Sequence, residues 1–360
     1  MTQDIPSFFS NDYFEARQKF LDACSDRAIQ VEAHAHPCAF GRDGEKLYTD
    51  VARLGPPNPS KVLTLISGTH GVEGYCGSGV QTGLLTTGLL ETVTDDLGVV
   101  LIHALNPYGF AHDRRVNEDN VDLNRNYAPE RKQDSSDVLY PEIHSSLVPE
   151  KWHGPEKTVA DQGLERFIGK NGLRVYQAAV SGGQYSYPDG LFFGGHTEAW
   201  SWKVLRSVLA PHAGQADLVS VIDFHTGLGP HGYGELIATG MGSHLDRAME
   251  WYNGEVTSPS AGTSTSAEIT GTLGHGIPEV LSGSEVVFIA LEYGTYDIQR
   301  VLEAVRADNW LYQKGNVESN LGRAIKKEIK NTFYPNQEDW KVLVWTRAVE
   351  VIQMNIERLG

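Results

Sequence analysis

At 360 residues the chain is long enough to bury a sizeable core, and 40% apolar with 21% charged residues is a globular balance. The formal net charge of −16 would repel nucleic-acid phosphates. No apolar run approaches the roughly 18 residues that a membrane span needs. Residues 1–6 carry neither the basic region nor the apolar core of a signal peptide. Cys24, Cys38 and Cys76 cannot all pair and show no Cys-x-x-Cys spacing, so the expectation is a cytoplasmic protein with free thiols.

In chain order, Asn11 is read as the cap of a first helix running from Asp12 to about Cys24, with Phe14, Phe20 and Leu21 on one face. His34-Ala-His36 follows and could open the metal site of an amidohydrolase barrel. Pro37 directly after it suits a sheet edge better, and no eightfold β/α repeat is present, so a hairpin leading to a strand over 47–52 is preferred. The β-branched run from Val62 to Ile66 reads as a buried strand that stops at Ser67-Gly68. His70 and Glu73 come immediately after that turn. A histidine and a carboxylate three residues apart at the end of a buried strand can converge on one cation, and nitrogen plus oxygen donors suit zinc. Cys76, next to this pair, is read as a small buried residue.

Residues 77–90 are small and apolar and read as a helix on the sheet, and Val99 to Leu105 as another buried strand. The polar run 114–126 holds Arg114, Arg115, Asp122, Asn124, Arg125 and Asn126, and reads as a solvated loop. Two features resist that reading: Val121 and Leu123 alternate with Asp122 and Asn124, so the loop is partly anchored, and Arg114, Arg115 and Arg125 form a cationic cluster in a very acidic protein. Helices are expected over about 158–170 and 197–210, the second capped by Thr197, and 182–190 is a turn-rich loop. Gly163 to Lys170 is not a phosphate loop: its spacing is wrong, and Asn171 stands where Ser or Thr would hold magnesium. The run 218–222 repeats the design of the first buried strand and delivers His225, with Asp223 able to orient an imidazole. A strand begins near 231–238, and loops fill 255–275. The strand 286–291 ends in Glu292, a carboxylate that is costly to bury without a task or a partner. The tail is helical over about 297–314, 318–330 and 337–357.

Taken together, His70-Gly-Val-Glu73, Asn106-Pro-Tyr-Gly109, Arg115, the run 121–126, a late strand-end His225 and a later strand-end Glu292 resemble the zinc carboxypeptidase superfamily, including its succinylglutamate desuccinylase and aspartoacylase branch. The likeness spans about residues 60–300 and is greatest to an uncharacterised bacterial, metallopeptidase-like branch. It implies an α/β fold with a mixed, mostly parallel central sheet flanked by helices. The whole chain, 1–360, would form one catalytic domain with an N-terminal helix and hairpin over 1–59 and C-terminal helices over 297–357. The resemblance implies one zinc ion on His70, Glu73 and His225, and leaves a second metal open. Glu292 would be general base and acid, and Arg115 would polarise the scissile carbonyl, with Arg114 as its adjacent alternative. Asn124 and Arg125 would hold a substrate carboxylate. The C-terminus departs from the desuccinylase branch, which ends in a small β domain. No residue is singled out as the tyrosine that closes over substrate in the carboxypeptidases, although Tyr252 lies in the right region.

The expected activity is hydrolysis of an amide bond next to a free carboxylate, in a small peptide or in an N-acyl amino acid. A zinc-containing binding module without turnover would leave Glu292 without a purpose. A barrel amidohydrolase would place the metal on His34 and His36 instead. A serine hydrolase is disfavoured because no Gly-x-Ser-x-Gly elbow is present.

Overall fold

The apolar runs of the sequence pair into one seven-stranded sheet in a computed structural model that describes residues 4–92, 96–127, 135–239 and 243–360. Its strands are β1 (Val31–Phe40), β2 (Lys46–Leu54), β3 (Lys61–Ile66), β4 (Leu97–His103), β5 (Leu218–Gly227), β6 (Gly234–Ile237) and β7 (Glu285–Gly294). The order across the sheet is β1-β2-β4-β3-β5-β7-β6. The four central strands β4, β3, β5 and β7 are parallel, and the outer strands β1, β2 and β6 run antiparallel to their neighbours. The fold is thus the mixed, mostly parallel α/β sheet with a helical C-terminus that the sequence implies.

Both faces of the central strands are covered, which is why they read as unbroken apolar runs rather than as alternating ones. Leu63, Leu65, Leu101, Phe224 and Ile289 face helices 13–25, 74–87 and 338–359. Val62, Val100, Val219 and Val221 face helices 200–213 and 273–280. Each such fully buried aliphatic side chain contributes about 1.5–3 kcal/mol. Pro37 lies on the edge strand β1, where its missing N–H costs no ladder bond.

The first helix is capped by Asp12, whose carboxylate accepts from the Glu15 N–H, while Asn11 is bound by the Glu15 side chain just outside. Thr197 caps nothing: helix 200–213 starts after Ala199 without a side-chain cap. Helices 135–147, 173–181, 243–251 and 273–280 lie where the sequence predicts a loop or no element. Among the described residues, no helix is long and apolar enough to cross a membrane.

The chain moves from β3 to β4 on one side and later returns to β5 on the other. The gap between the C-terminal ends of β3 and β5 is therefore the switch point where open α/β sheets form crevices.

Candidate metal centre and substrate cavity

β3 ends at Ile66, and Gly68 turns the chain at φ +69°. The loop behind His70 is locked to the polar run, because the N–H groups of Gly71 and Val72 donate to the carbonyls of Arg115 and Arg114. A side chain at Gly71 would run into the Gly109 backbone, so only glycine permits this approach. On β5, alternation puts Asp223 and His225 on one face, and the register pairs His225 with Glu292 of β7.

These constraints bring His70, Glu73 and His225 together in a buried cage whose donor atoms all lie within 4.8 Å of one another. His70 Nδ1 is 3.0 Å from Glu73 Oε1, and His225 Nδ1 is 3.0 Å from Glu73 Oε2. The far nitrogens are held by carboxylates. Asp122 Oδ1 lies 3.1 Å from His70 Nε2, and Asp223 Oδ2 lies 2.7 Å from His225 Nε2. An Nε2–H donated from His225 to Asp223 leaves the His225 Nδ1 lone pair facing the cage, the tautomer a metal ligand requires, while His70 Nε2 lies between Asp122 and the Arg115 Nη2 donor, 2.8 Å away. Two nitrogens and a carboxylate with these outer partners fit a divalent zinc-like cation.

Electrostatics agree with that fit. Burial raises the Glu73 carboxyl, but His70, His225 and Arg115 outweigh it and hold it well below its ordinary range. Burial disfavours charge on His225, yet Asp223 and Glu73 flank both its nitrogens and raise its pKa well above the ordinary value. The cage without a cation therefore attracts a proton, which a cation would displace.

Glu292 stands beside the cage, with Oε1 accepting from the Leu228 N–H at 2.9 Å. Burial and the neighbouring Glu73 charge push its carboxyl up to about 7, against the pull of His225, the Leu228 N–H and Arg115. A carboxyl tuned close to neutrality can both take and return a proton.

His70 and His225 of the cage line one cavity with Glu292, Arg115, Asn124 and Arg125. Arg115 donates from Nε to Asp122 and from Nη1 to Glu73, at 2.9 Å each. Arg125 is buried and anchored by the Ser181 and Asn124 carbonyls. Burial, reinforced by Arg115, lowers its pKa to about 10, so it stays cationic at neutral pH. Asn124 accepts from the Leu273 N–H at 3.0 Å and places its Nδ2 3.4 Å from His225 Nε2. Arg114 turns elsewhere: it bonds Asp308 and Asn120, lies over the Tyr312 ring, and is not among the residues that line this cavity.

The sequence matches the model of a family described as a protein of unknown function, DUF2817, over residues 9–347. The chain belongs to that family. No curated protein matches it. Among solved structures, the DUF2817 chain is similar to the carboxypeptidase A of Helicoverpa armigera, at 12% identity and a TM-score of 0.46, covering 89% of this chain and 73% of that one. It is also similar to a metallo-carboxypeptidase of Pseudomonas aeruginosa in complex with (2-guanidinoethylmercapto)succinic acid, at 12% identity and a TM-score of 0.42, covering 95% and 71%. An aspartoacylase family protein of Mesorhizobium loti aligns at 13% identity and a TM-score of 0.36, covering 81% and 68%.

Three features of the DUF2817 site escape a reading of the sequence. The run 114–126 is not a solvated loop: Arg114, Asn117, Asp122, Asn124, Arg125 and Asn126 are all buried, because their polar groups satisfy one another and the neighbouring backbone. Asp122 ties together His70, Arg115 and the Asn124 N–H, and its sign in the sequence is its place between Val121 and Leu123. Phe192, at φ +53°, places its ring 5.1 Å from the Arg115 guanidinium and 5.4 Å from that of Arg125. A bulky residue in the left-handed region is a strain that functional sites retain. Tyr252 is fully buried against Asn355 and cannot reach the cavity. His34 and His36 lie on β1, with His36 bonded to Glu118, away from the cage.

Proposed function

We propose that this protein is a metal-dependent amide hydrolase acting on a bond next to a free carboxylate. The observation that carries the reading is the convergence, around one cavity, of the His70–Glu73–His225 cage, the Glu292 carboxyl beside it and the buried Arg125 guanidinium. Zinc is the cation that the donor set favours. When bound, it would supply Lewis acidity to a carbonyl oxygen and to water.

The chain's own groups account for the rest. Arg125 keeps N–H groups beyond those given to Ser181 and Asn124, and these would receive the substrate carboxylate as a charge-assisted pair. Arg115, fixed by Glu73 and Asp122, would stabilise negative charge growing on the scissile oxygen. Glu292 would take a proton from the attacking water and pass it to the leaving nitrogen as the C–N bond breaks, giving one carboxylate and one amine. A binding module would leave the Glu292 carboxyl beside the cage without a task.

Metal content and hydrolysis, measured together on wild type and His70→Ala, test the reading. The panel should hold peptides and N-acyl amino acids that end in a free carboxylate. About one zinc per chain, lost in the variant along with hydrolysis, is the expected result. Zinc retained by His70→Ala would move the metal elsewhere. Zinc bound by a wild type that hydrolyses nothing would leave a binding module.

A further inference from the structure

Arg115 and Arg125 are like charges that share a counter-ion. Asp122 Oδ2 lies 2.9 Å from Arg115 Nε, and Asp122 Oδ1 lies 3.8 Å from Arg125 Nη1. A third group meets both guanidiniums. The buried Phe192 ring has its centre 5.1 Å from Arg115 Cζ and 5.4 Å from Arg125 Cζ, within the roughly 6 Å over which a ring face attracts a cation. All three side chains line the cavity beside the cage. The backbone around Phe192 is pegged on both sides. The Tyr140 hydroxyl accepts from the Leu191 N–H at 2.6 Å, and the Phe192 carbonyl accepts from the Gln184 N–H at 3.2 Å. The Phe193 carbonyl accepts from the Asp122 N–H at 2.8 Å, which ties the loop to the residue that both arginines share. These bonds hold Phe192 at φ +53°, a conformation that glycine adopts freely and a bulky side chain resists. Glycine stands at 190, 194 and 195 of the same loop but not at 192, so the strain is kept for the sake of the ring.

We propose that Phe192 is a positioning residue whose ring fixes the spacing between the Arg125 and Arg115 guanidiniums. This rests on the amide-hydrolase reading, in which Arg125 receives the substrate carboxylate and Arg115 the scissile oxygen, and adds what keeps the two in register. Two guanidiniums with one shared carboxylate repel each other, and each long side chain has torsions along which to yield. The negative face of an aromatic ring draws on both cations at once and keeps water from between them. An aliphatic side chain of similar bulk would fill the same space without attracting either. The pair of arginines then measures the distance from carboxylate to scissile carbonyl. A substrate with one methylene more between those groups would meet one arginine correctly and the other poorly, which costs rate even where binding persists.

The experiment compares wild type, Phe192→Leu and Phe192→Tyr. Both variants carry the same backbone strain, and only the tyrosine keeps a ring face. Zinc content and melting temperature report whether each is folded and loaded. The substrates are N-acetyl-leucine and N-acetyl-β-homoleucine, whose carboxylate lies one methylene farther from the amide. For N-acetyl-leucine, Phe192→Leu should lower kcat/KM by about tenfold or more, and Phe192→Tyr by less than about threefold. Wild type should favour the α-compound over the β-compound by about tenfold or more. Phe192→Leu should narrow that preference to about threefold or less, and Phe192→Tyr should keep it, a readout that a residue needed only for folding would not move. Equal activity of the two folded variants overturns the proposal, as does an α-to-β ratio that Phe192→Leu leaves unchanged. If wild type hydrolyses neither compound nor any carboxylate-ended peptide, the hydrolase reading fails by itself, and calorimetric binding of the same two compounds decides the role of Phe192. A preference for the α-compound that is lost in the leucine variant and kept in the tyrosine variant upholds it. One ratio shared by all three proteins, or no binding at all, overturns it.

Discussion

Replacing Asp223 by asparagine perturbs the proposed metal cage without touching a donor atom. Asp223 is fully buried, with Oδ2 2.7 Å from His225 Nε2 and Oδ1 accepting from Thr69 Oγ1 at 2.7 Å. An asparagine oxygen can still accept the Nε2–H, and its amide can face the Thr69 hydroxyl, so the shape survives and only the charge is lost. Loss of such a carboxylate behind a metal-bound imidazole costs about 10–100-fold in metal affinity. That is about 1.4–2.8 kcal/mol, and at saturating free zinc the stabilisation by zinc falls by the same amount. Competition against a chelating indicator measures the affinity, and denaturant titrations with zinc and with chelator measure the stability. The metal-free protein adds a second signature. The folded-state pKa of His225 is raised above its unfolded value of about 6.5, so its contribution is complete below that pH and is lost as pH rises through the folded value. Asp223→Asn removes much of it, so the metal-free variant should trail wild type most at pH 6 and least in alkali. An unchanged zinc affinity with parallel pH–stability curves would refute the idea that Asp223 works through His225.

Three further outcomes follow from the geometry. Glu292→Gln should keep its zinc but lose about 10²–10⁴-fold in kcat. Because the raised folded pKa of Glu292 makes the metal-free wild type lose stability as pH rises from about 4.5 toward about 7, the same variant should be the more stable protein above pH 7 in chelator melts. Arg125→Met should raise KM by about tenfold or more through loss of a charged hydrogen bond, with kcat and zinc content much less affected, whereas Arg114→Met should lower the melting temperature and leave KM alone. Glu235 is a buried carboxylate on β6 that accepts from the Thr257 hydroxyl at 2.6 Å, from the Thr265 N–H at 3.1 Å and from the Thr265 hydroxyl. It pegs the loop that carries Ile269, so Glu235→Ala should raise KM severalfold at unchanged zinc content, and Glu235→Gln should recover part of the loss.

What could be read from the sequence, and what could not, divides along a physical line. His70, Glu73, His225 and Glu292 announce themselves because each is a polar residue at the end of an apolar strand, where the cost of burial makes a purely structural role improbable. The sheet is legible for the same reason, since strands covered on both faces must be apolar throughout. Helix 173–181 goes unread because nine residues are too few to establish a period, and helix 135–147 because Pro141 interrupts it and the stretch before it is polar. The run 114–126 misleads for a deeper reason. Local composition reports the price of burying Arg115, Asp122 and Arg125 one at a time, but their burial is paid in pairs, with partners such as His70, Glu73 and Ser181 that lie far away in sequence. Charge density therefore marks such a run as exposed even when it forms the innermost layer of a site. The sharper sign is the pairing of that density with alternating apolar residues. Val121 and Leu123 hold the run down between strand ends, and once they are buried, Asp122, Asn124 and Arg125 have nowhere to point but into the cage and the cavity beside it.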